Sequence, residues 1–426
     1  MYSENLDERA PISTRSSNIP RNNTKKSIDV YEVFCTLLVI ASCFLGSMKS
    51  TILSLAVVVG FAIYILKPIY LIGPIFFMTI FDDYLLAFSG QSFSRFCVIF
   101  FCVGILLKMI VHQQRIKYVG MMAMVVVMLL LGILLSFTSV FGYTSFPLSY
   151  VLNLILFFCM MNCIPQGNSM IIKQLYKYTL FGVVFIAVLM VRNITNLHPG
   201  TRMTIASDVN PNQLAMGMSQ MMAVVIAHLI SRKRRIIDYC LVFMLIAGLF
   251  LTGSRSGLIA ALLSAITVYI FAIWKTASRK KKARNIAAIA LLGVIICFLY
   301  FYLAEIAPAL MYRFTYENIV ATGGTNRMDI WMALLTRALP GHYLFGIGFD
   351  PVNAYYAVQS INGIGHGPHN LIVEILTKTG IFGMSIYLAF FFRLFRKMAK
   401  NFQQYSELFM PFAMIIAILI NGVGED

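Results

Sequence analysis

His369-Asn370, then nine residues, then Gly380-Ile381-Phe382-Gly383 is the stretch whose residue types and spacing hold the most chemistry. The half with Gly and Pro, Ile364 to Asn370, reads as loop, and the apolar run from Leu371 reads as the start of a membrane helix. His369 then stands where a helix leaves lipid for water. An imidazole there can take up or release a proton near neutral pH. The alternative is a solvated loop histidine.

Arg255 stands in Gly253-Ser254-Arg255-Ser256-Gly257, between two apolar runs and with no acid close by in the chain. A charge at the bilayer edge is costly and marks a functional site unless the side chain snorkels to the interface. The small neighbours let backbone approach closely, and a helix N-terminus with an arginine suits phosphate. Arg202 is either a solvated loop cation or a ligand. Asp208, Asn210 and Asn212 are either helix N-caps or ligand contacts. Arg327 belongs to an amphipathic stretch, 326–339, which predicts a helix lying on the membrane surface. Trp331, Tyr302, Tyr312 and Tyr316 fit interfacial anchors, with stacking on sugar rings as the other use. Asn193-Ile194-Thr195 is a glycosylation triplet of a kind common by chance. Gly346-Ile347-Gly348 lacks the strand and helix that a dinucleotide fingerprint needs, so that use is rejected. Asp82 and Asp83 read as caps of a broken helix and are not counted as catalytic.

These groups must be positioned by membrane helices. Of 426 residues 59% are hydrophobic and 12% charged, and mean hydropathy is +0.80, which excludes an ordinary soluble domain. Apolar runs of roughly 17–22 residues recur from residue 31 to 423, enough for about 12–13 transmembrane helices. The predicted fold is all-α and polytopic, with a large outer loop, 305–369, before the last two helices. One early span is expected to be re-entrant or interfacial, and 68–94, with Pro68, Pro74 and Gly90, is the irregular segment. Residues 1–28 read as a disordered cytoplasmic tail and 29–426 as a single transmembrane domain. The polar start leads straight into a span, so no cleavable signal peptide is expected.

The net charge of +17 sits largely in short clusters between apolar runs, as the positive-inside rule requires, so no nucleic-acid partner is expected. Clusters at 232–235, 275–284 and 393–400 are placed in the cytoplasm with two spans between neighbours. Segments 193–211, 253–257 and 305–369 then share the outer face. His112 falls on the inner side, and His228 is read as a packing residue inside a span. All eight cysteines lie in apolar runs without zinc-ligand spacing to a histidine, so neither a metal site nor a disulfide is expected.

Four pieces in order carry a family resemblance: Arg202 with Pro211-Asn212; the 253–257 turn; Asn326-Arg327 with Trp331 and Gly346-x-Gly348; and His369-Asn370 with Gly380-x-x-Gly383. Over roughly residues 180–400 they resemble the O-antigen ligase and polysaccharide polymerase superfamily. The resemblance implies a GT-C-like membrane glycosyltransferase without a cofactor or metal. It would move glycan from undecaprenyl diphosphate to a hydroxyl acceptor at the outer face of the bacterial cytoplasmic membrane. It implies His369 as the catalytic base and Arg202, Arg255 and Arg327 as diphosphate ligands. Asn212, Ser254, Ser256, Asn370, Gly380 and Gly383 would support them. Membrane lipid, a flippase and a chain-length regulator are the further candidate partners. A polymerase of exopolysaccharide, capsule or O-antigen is preferred. Ligation of finished glycan to lipid A core, protein or wall polymer uses the same chemistry. A flippase is disfavoured, because the chain shows no internal repeat and no run of midplane charge.

Overall fold

The structure, a computed structural model, describes residues 29–48, 50–82, 84–88, 91–113, 119–138, 148–163, 169–193, 202–204, 210–231, 235–276, 278–321, 327–349, 369–402 and 408–423. The tail 1–28, Asp83, Asp208, Asn326 and residues 364–368 lie outside these. Lipid offers no partner for a free N–H or C=O, so apolar runs become helices. Among the described residues six helices are long and apolar enough to cross a membrane: α4 (Phe93–Val111), α7 (Ser169–Asn193), α8 (Pro211–Ser231), α10 (Arg255–Lys275), α11 (Arg279–Ile306) and α15 (Leu371–Asn401). Other apolar helices accompany them: α1 (Val30–Met48), α2 (Thr51–Ala62), α3 (Ile72–Ile80), α5 (Val119–Thr138), α6 (Leu148–Cys163), α9 (Ile236–Thr252) and α16 (Phe409–Val423). The protein is a multi-pass, nearly all-helical membrane protein.

The irregular early segment is broken as its prolines demand. Two 3-10 turns, Ile63–Leu66 and Pro68–Leu71, flank Lys67, with Pro68 at the first position of the second turn, where it has no N–H to lose. Lys67 Nζ lies 3.5 Å above the Tyr31 ring, which ties this turn to the start of α1. After α3, strands β1 (Leu86–Phe88) and β2 (Gln91–Ser92) form a small antiparallel pair. Asp82 accepts a hydrogen bond from Ser94, joining the end of α3 to the start of α4.

The core is built on α8, which packs against α9, α10 and α16. In its most apolar window 72% of α8 is buried, against 17% of α11, so α8 is the hub and α11 is the least covered long helix. Small residues let the helix backbones meet. A Cβ added at Gly257 of α10 would lie 2.5 Å from Ala215 Cβ of α8, and Gly248 of α9 receives Met218. Asn421 of α16 donates to Ser219 of α8 at 2.5 Å, a buried polar bond across this core. His228 does more than pack. It stacks on Tyr176 with 3.9 Å between ring centres and sets Nδ1 3.3 Å from the buried Asp238 carboxylate.

Between α11 and α15 come short helices: α12 (Pro308–Met311), followed by a 3-10 turn at Tyr312–Phe314, then α13 (Tyr316–Ala321) and α14 (Arg327–Ala333). The amphipathic stretch is helical from Arg327, and much of its apolar side is covered by protein. Ile330, Ala333, Leu334 and Ala338 are buried around Ile347, with Val373 of α15 packed against them. Protein contact therefore accounts for the periodicity that suggested a helix resting on the membrane surface.

Candidate functional site

The turn between α9 and α10 is built from caps. α9 ends at Thr252, and Gly253 follows in the left-handed region at φ 62°, which glycine adopts without a Cβ penalty. Ser254 is the N-cap of α10. Its Oγ accepts from Gly257 N–H at 3.3 Å and lies 3.3 Å from Ser256 Oγ. Arg255 is therefore the first residue of a 21-residue helix. A cation at the positive end of a helix dipole is placed against the field, and a bound anion would offset that.

Two more arginines reach this turn from distant segments. Arg202 donates from Nε to the Thr252 carbonyl at 2.8 Å and from Nη2 to Asn212 Oδ1, while Met203 N–H donates to Leu251 O at 2.9 Å. Arg313, in the 3-10 turn after α12, donates from Nε to the Gly253 carbonyl at 3.2 Å. Both bonds answer the carbonyls left open at the C-terminus of α9, where a cation is favoured. The open readings of the asparagines also resolve. Asn210 caps α8, its Oδ1 accepting from Asn212 N–H at 2.9 Å, and this leaves the Asn212 side chain for Arg202. Arg313 was missed at sequence level. Its one signal was an outer-segment cation amid aromatic residues that read as interfacial anchors.

His369 lies at the mouth of α15. It is exposed and in the left-handed region at φ 47°, uncommon for a residue with a side chain. It makes no side-chain hydrogen bond to another described residue. Asn370, 7% exposed, is the N-cap, its Oδ1 accepting from Ile372 and Val373 N–H at 3.0 and 3.1 Å. The next residue, Leu371, packs on Gly422 of α16, beside the Asn421–Ser219 bond to α8. Ser219 lies two turns, roughly 10 Å, along α8 from Asn212. One layer of helices thus links the His369 end of α15 to the arginine-bearing turn. Arg327 opens α14.

The Gly-x-x-Gly portion of the motif is a helix break. Gly380, at φ 64° and ψ −168°, interrupts α15, and the freed backbone groups are taken up by residues 343–348. Ile347 and Gly348 N–H donate to Thr377 O and Lys378 O, both at 2.9 Å. Ile381 and Phe382 N–H donate to Tyr343 O at 2.9 Å and Leu344 O at 3.0 Å. A Cβ at Gly346 (φ 76°) would lie 2.6 Å from Thr377 O, and one at Gly380 would overlap Leu344 O. Gly383 has the Thr379 side chain against it. Lys378, 7% exposed, pairs with Glu374 one turn earlier, a buried charge in this helix that sequence reasoning also passed over. Phe349 extends the wedge to α5, donating from its N–H to Gly132 O at 3.2 Å.

Residues 240–388 match the family model described as Wzy_C, O-Antigen ligase. This stretch is an O-antigen ligase domain. No curated protein matches the chain significantly. The O-antigen ligase domain runs from the second turn of α9 past the break in α15, so it holds Ser254, Arg255, Ser256, Arg313, Arg327, His369, Asn370, Gly380 and Gly383. Arg202 and Asn212 precede it; Arg202 is joined to it by the bond to Thr252 O and holds Asn212 through Nη2. The match makes this stretch similar to proteins of membrane glycan transfer of the O-antigen ligase kind.

Proposed function

We propose that this protein polymerises lipid-linked repeat units of a surface polysaccharide at the outer face of the bacterial cytoplasmic membrane. Residues 29–426 act as one transmembrane unit, with the N-terminal tail in the cytoplasm, as the basic clusters at 232–235, 275–284 and 393–400 favour. The donor is a glycan on undecaprenyl diphosphate, and the acceptor is a sugar hydroxyl of a second lipid-linked chain.

In this reaction the acceptor oxygen attacks the anomeric carbon as the bond from that carbon to the diphosphate oxygen breaks. The electron pair leaves with the diphosphate, and the hydroxyl proton passes to His369. A single displacement inverts the anomeric centre. Arg202, Arg255 and Arg327 stabilise the negative charge that grows on the leaving oxygens, and in this proposal no metal is needed. Fixed guanidinium donors aimed at developing charge are worth several kcal/mol, about 3 or more, in a water-poor site. Asn212, Ser254, Ser256 and Asn370 hold these groups in place, and Gly380 and Gly383 shape the helix that carries His369.

The observation that carries the proposal is the bond set from Arg202 to Thr252 and Asn212. It draws an arginine from outside the O-antigen ligase domain onto the same turn as Arg255. Purified protein in liposomes, given undecaprenyl-diphosphate-linked repeat units and no other acceptor, tests it. A ladder of lengthening lipid-linked glycan from wild type and none from His369→Ala is expected. A ladder from both would remove His369 as the base. No ladder until a lipid A core, protein or wall-polymer acceptor is added would make the protein a ligase.

A further inference from the structure

We propose that Arg313 is a fourth diphosphate ligand, resting on the reading above that the α9–α10 turn receives the carrier's diphosphate. Its Nε is spent on the Gly253 carbonyl at 3.2 Å, which sets the plane of the guanidinium across the turn. The two terminal amino groups have no partner among the described residues, and no carboxylate pairs with Arg313 there. An arginine tied through Nε keeps both Nη groups, a preorganised fork whose spacing matches two oxygens of one phosphate.

The same turn carries Arg255 at the first position of α10 and Arg202 on the adjoining carbonyl. Three guanidinium groups are thus drawn to four consecutive residues, 252–255. Like charges gathered so closely repel, and a diphosphate is the kind of multiply charged ligand that offsets such repulsion. Gly253 is part of the arrangement. A Cβ there would lie 3.1 Å from Leu310 Cδ1 and 3.2 Å from Arg313 Cδ, so the missing side chain is what lets Arg313 lie flat against the backbone. The left-handed φ of 62° would accommodate other residues only with strain, and the close approach adds a second reason for glycine.

A simple latch between α12 and the end of α9 would use the Nε bond alone, so the test must read diphosphate recognition separately from folding. The full chain in nanodiscs is titrated with undecaprenyl diphosphate and, in parallel, undecaprenyl monophosphate, with thermal unfolding followed on the same samples. Wild type is compared with Arg313→Ala, Arg313→Lys, Arg202→Ala and Arg255→Ala. Arg313→Ala is expected to weaken diphosphate binding by roughly ten- to a hundred-fold, the size of a lost charge-assisted contact. Monophosphate binding should change less and unfolding temperature little. Arg313→Lys keeps a donor for Gly253 O but lacks the fork, so it should stay weakened; if the alanine variant fails to fold, the lysine variant decides. Diphosphate affinity within about twofold of wild type in a folded Arg313 variant, while Arg202→Ala or Arg255→Ala weakens it, would overturn the role of Arg313 alone. Equal loss for both lipids together with lower thermal stability would reduce Arg313 to a latch. Wild type that does not prefer diphosphate, with every arginine variant unchanged, would remove the site itself and this ligand with it.

Discussion

The α9–α10 turn and the break in α15 face the same problem and solve it in opposite ways. Each leaves backbone carbonyls open where a helix stops in or near a membrane. At residues 251–253 two of those carbonyls are met by arginine side chains, Arg202 on Thr252 and Arg313 on Gly253. At residues 377–382 the open groups are met by the backbone of residues 343–348. The first solution brings positive charge into place, which a ligand can use. The second is made by backbone meeting backbone. Motif residues of similar appearance therefore divide by role. In the proposed reaction the polar ones around the first site meet substrate, while the glycines of the second shape the helix that begins just after His369.

Substitutions can break or sharpen that contrast. The largest effect is expected for His369→Asn, because asparagine tolerates the left-handed φ of 47° and should leave α15 intact. Polymer formation in liposomes should fall by about 10²- to 10⁴-fold, the range for loss of a general base, with the unfolding temperature unchanged. Activity near wild type would take the imidazole out of the chemistry.

Gly380→Ala should act on the closed region, costing roughly 3 kcal/mol or more of stability through left-handed strain and overlap with Leu344 O. Low yield of monodisperse protein in detergent would show it. A stable variant with selective loss of carrier binding would contradict the division of roles. Arg255→Ala should do the reverse. Carrier affinity should drop about ten- to a hundred-fold while stability moves by less than about 1 kcal/mol, since removing a cation from a helix N-terminus relieves a dipole clash. The smallest effect is expected for Asn370→Ala. Loss of the N-cap bonds to Ile372 and Val373 should cost about 1 kcal/mol in thermal unfolding, and Asn370→Asp should restore most of it.

The local setting of several candidate-site residues was legible in the sequence. His369 and Asn370 stood at a loop-to-helix boundary, and Arg255 stood alone between two apolar runs. The uses of individual residues were less visible. Asn210 and Asn212 looked like equivalent caps, yet one caps and the other holds Arg202. Gly346 and Gly380 sat more than thirty residues apart, with no sign that a Cβ at either would meet backbone beside the other. The stretch 326–339 had the right period for its helix, but amphipathic spacing records that one side is apolar and not that Ile347 and Val373 cover it.

The amino-acid order by itself determined that this chain crosses a membrane many times, which stretches are helical and which polar groups lie between them. Hydrocarbon solvent leaves backbone few choices, and those constraints are local. Tertiary structure alone decided that Arg202 and Arg313 meet on the carbonyls of one turn, that α8 is the hub while α11 is the least covered long helix, and that residues 343–348 close the break in α15. Those outcomes depend on which helix ends come together, and packing of small residues between distant helices settles that where no local period can.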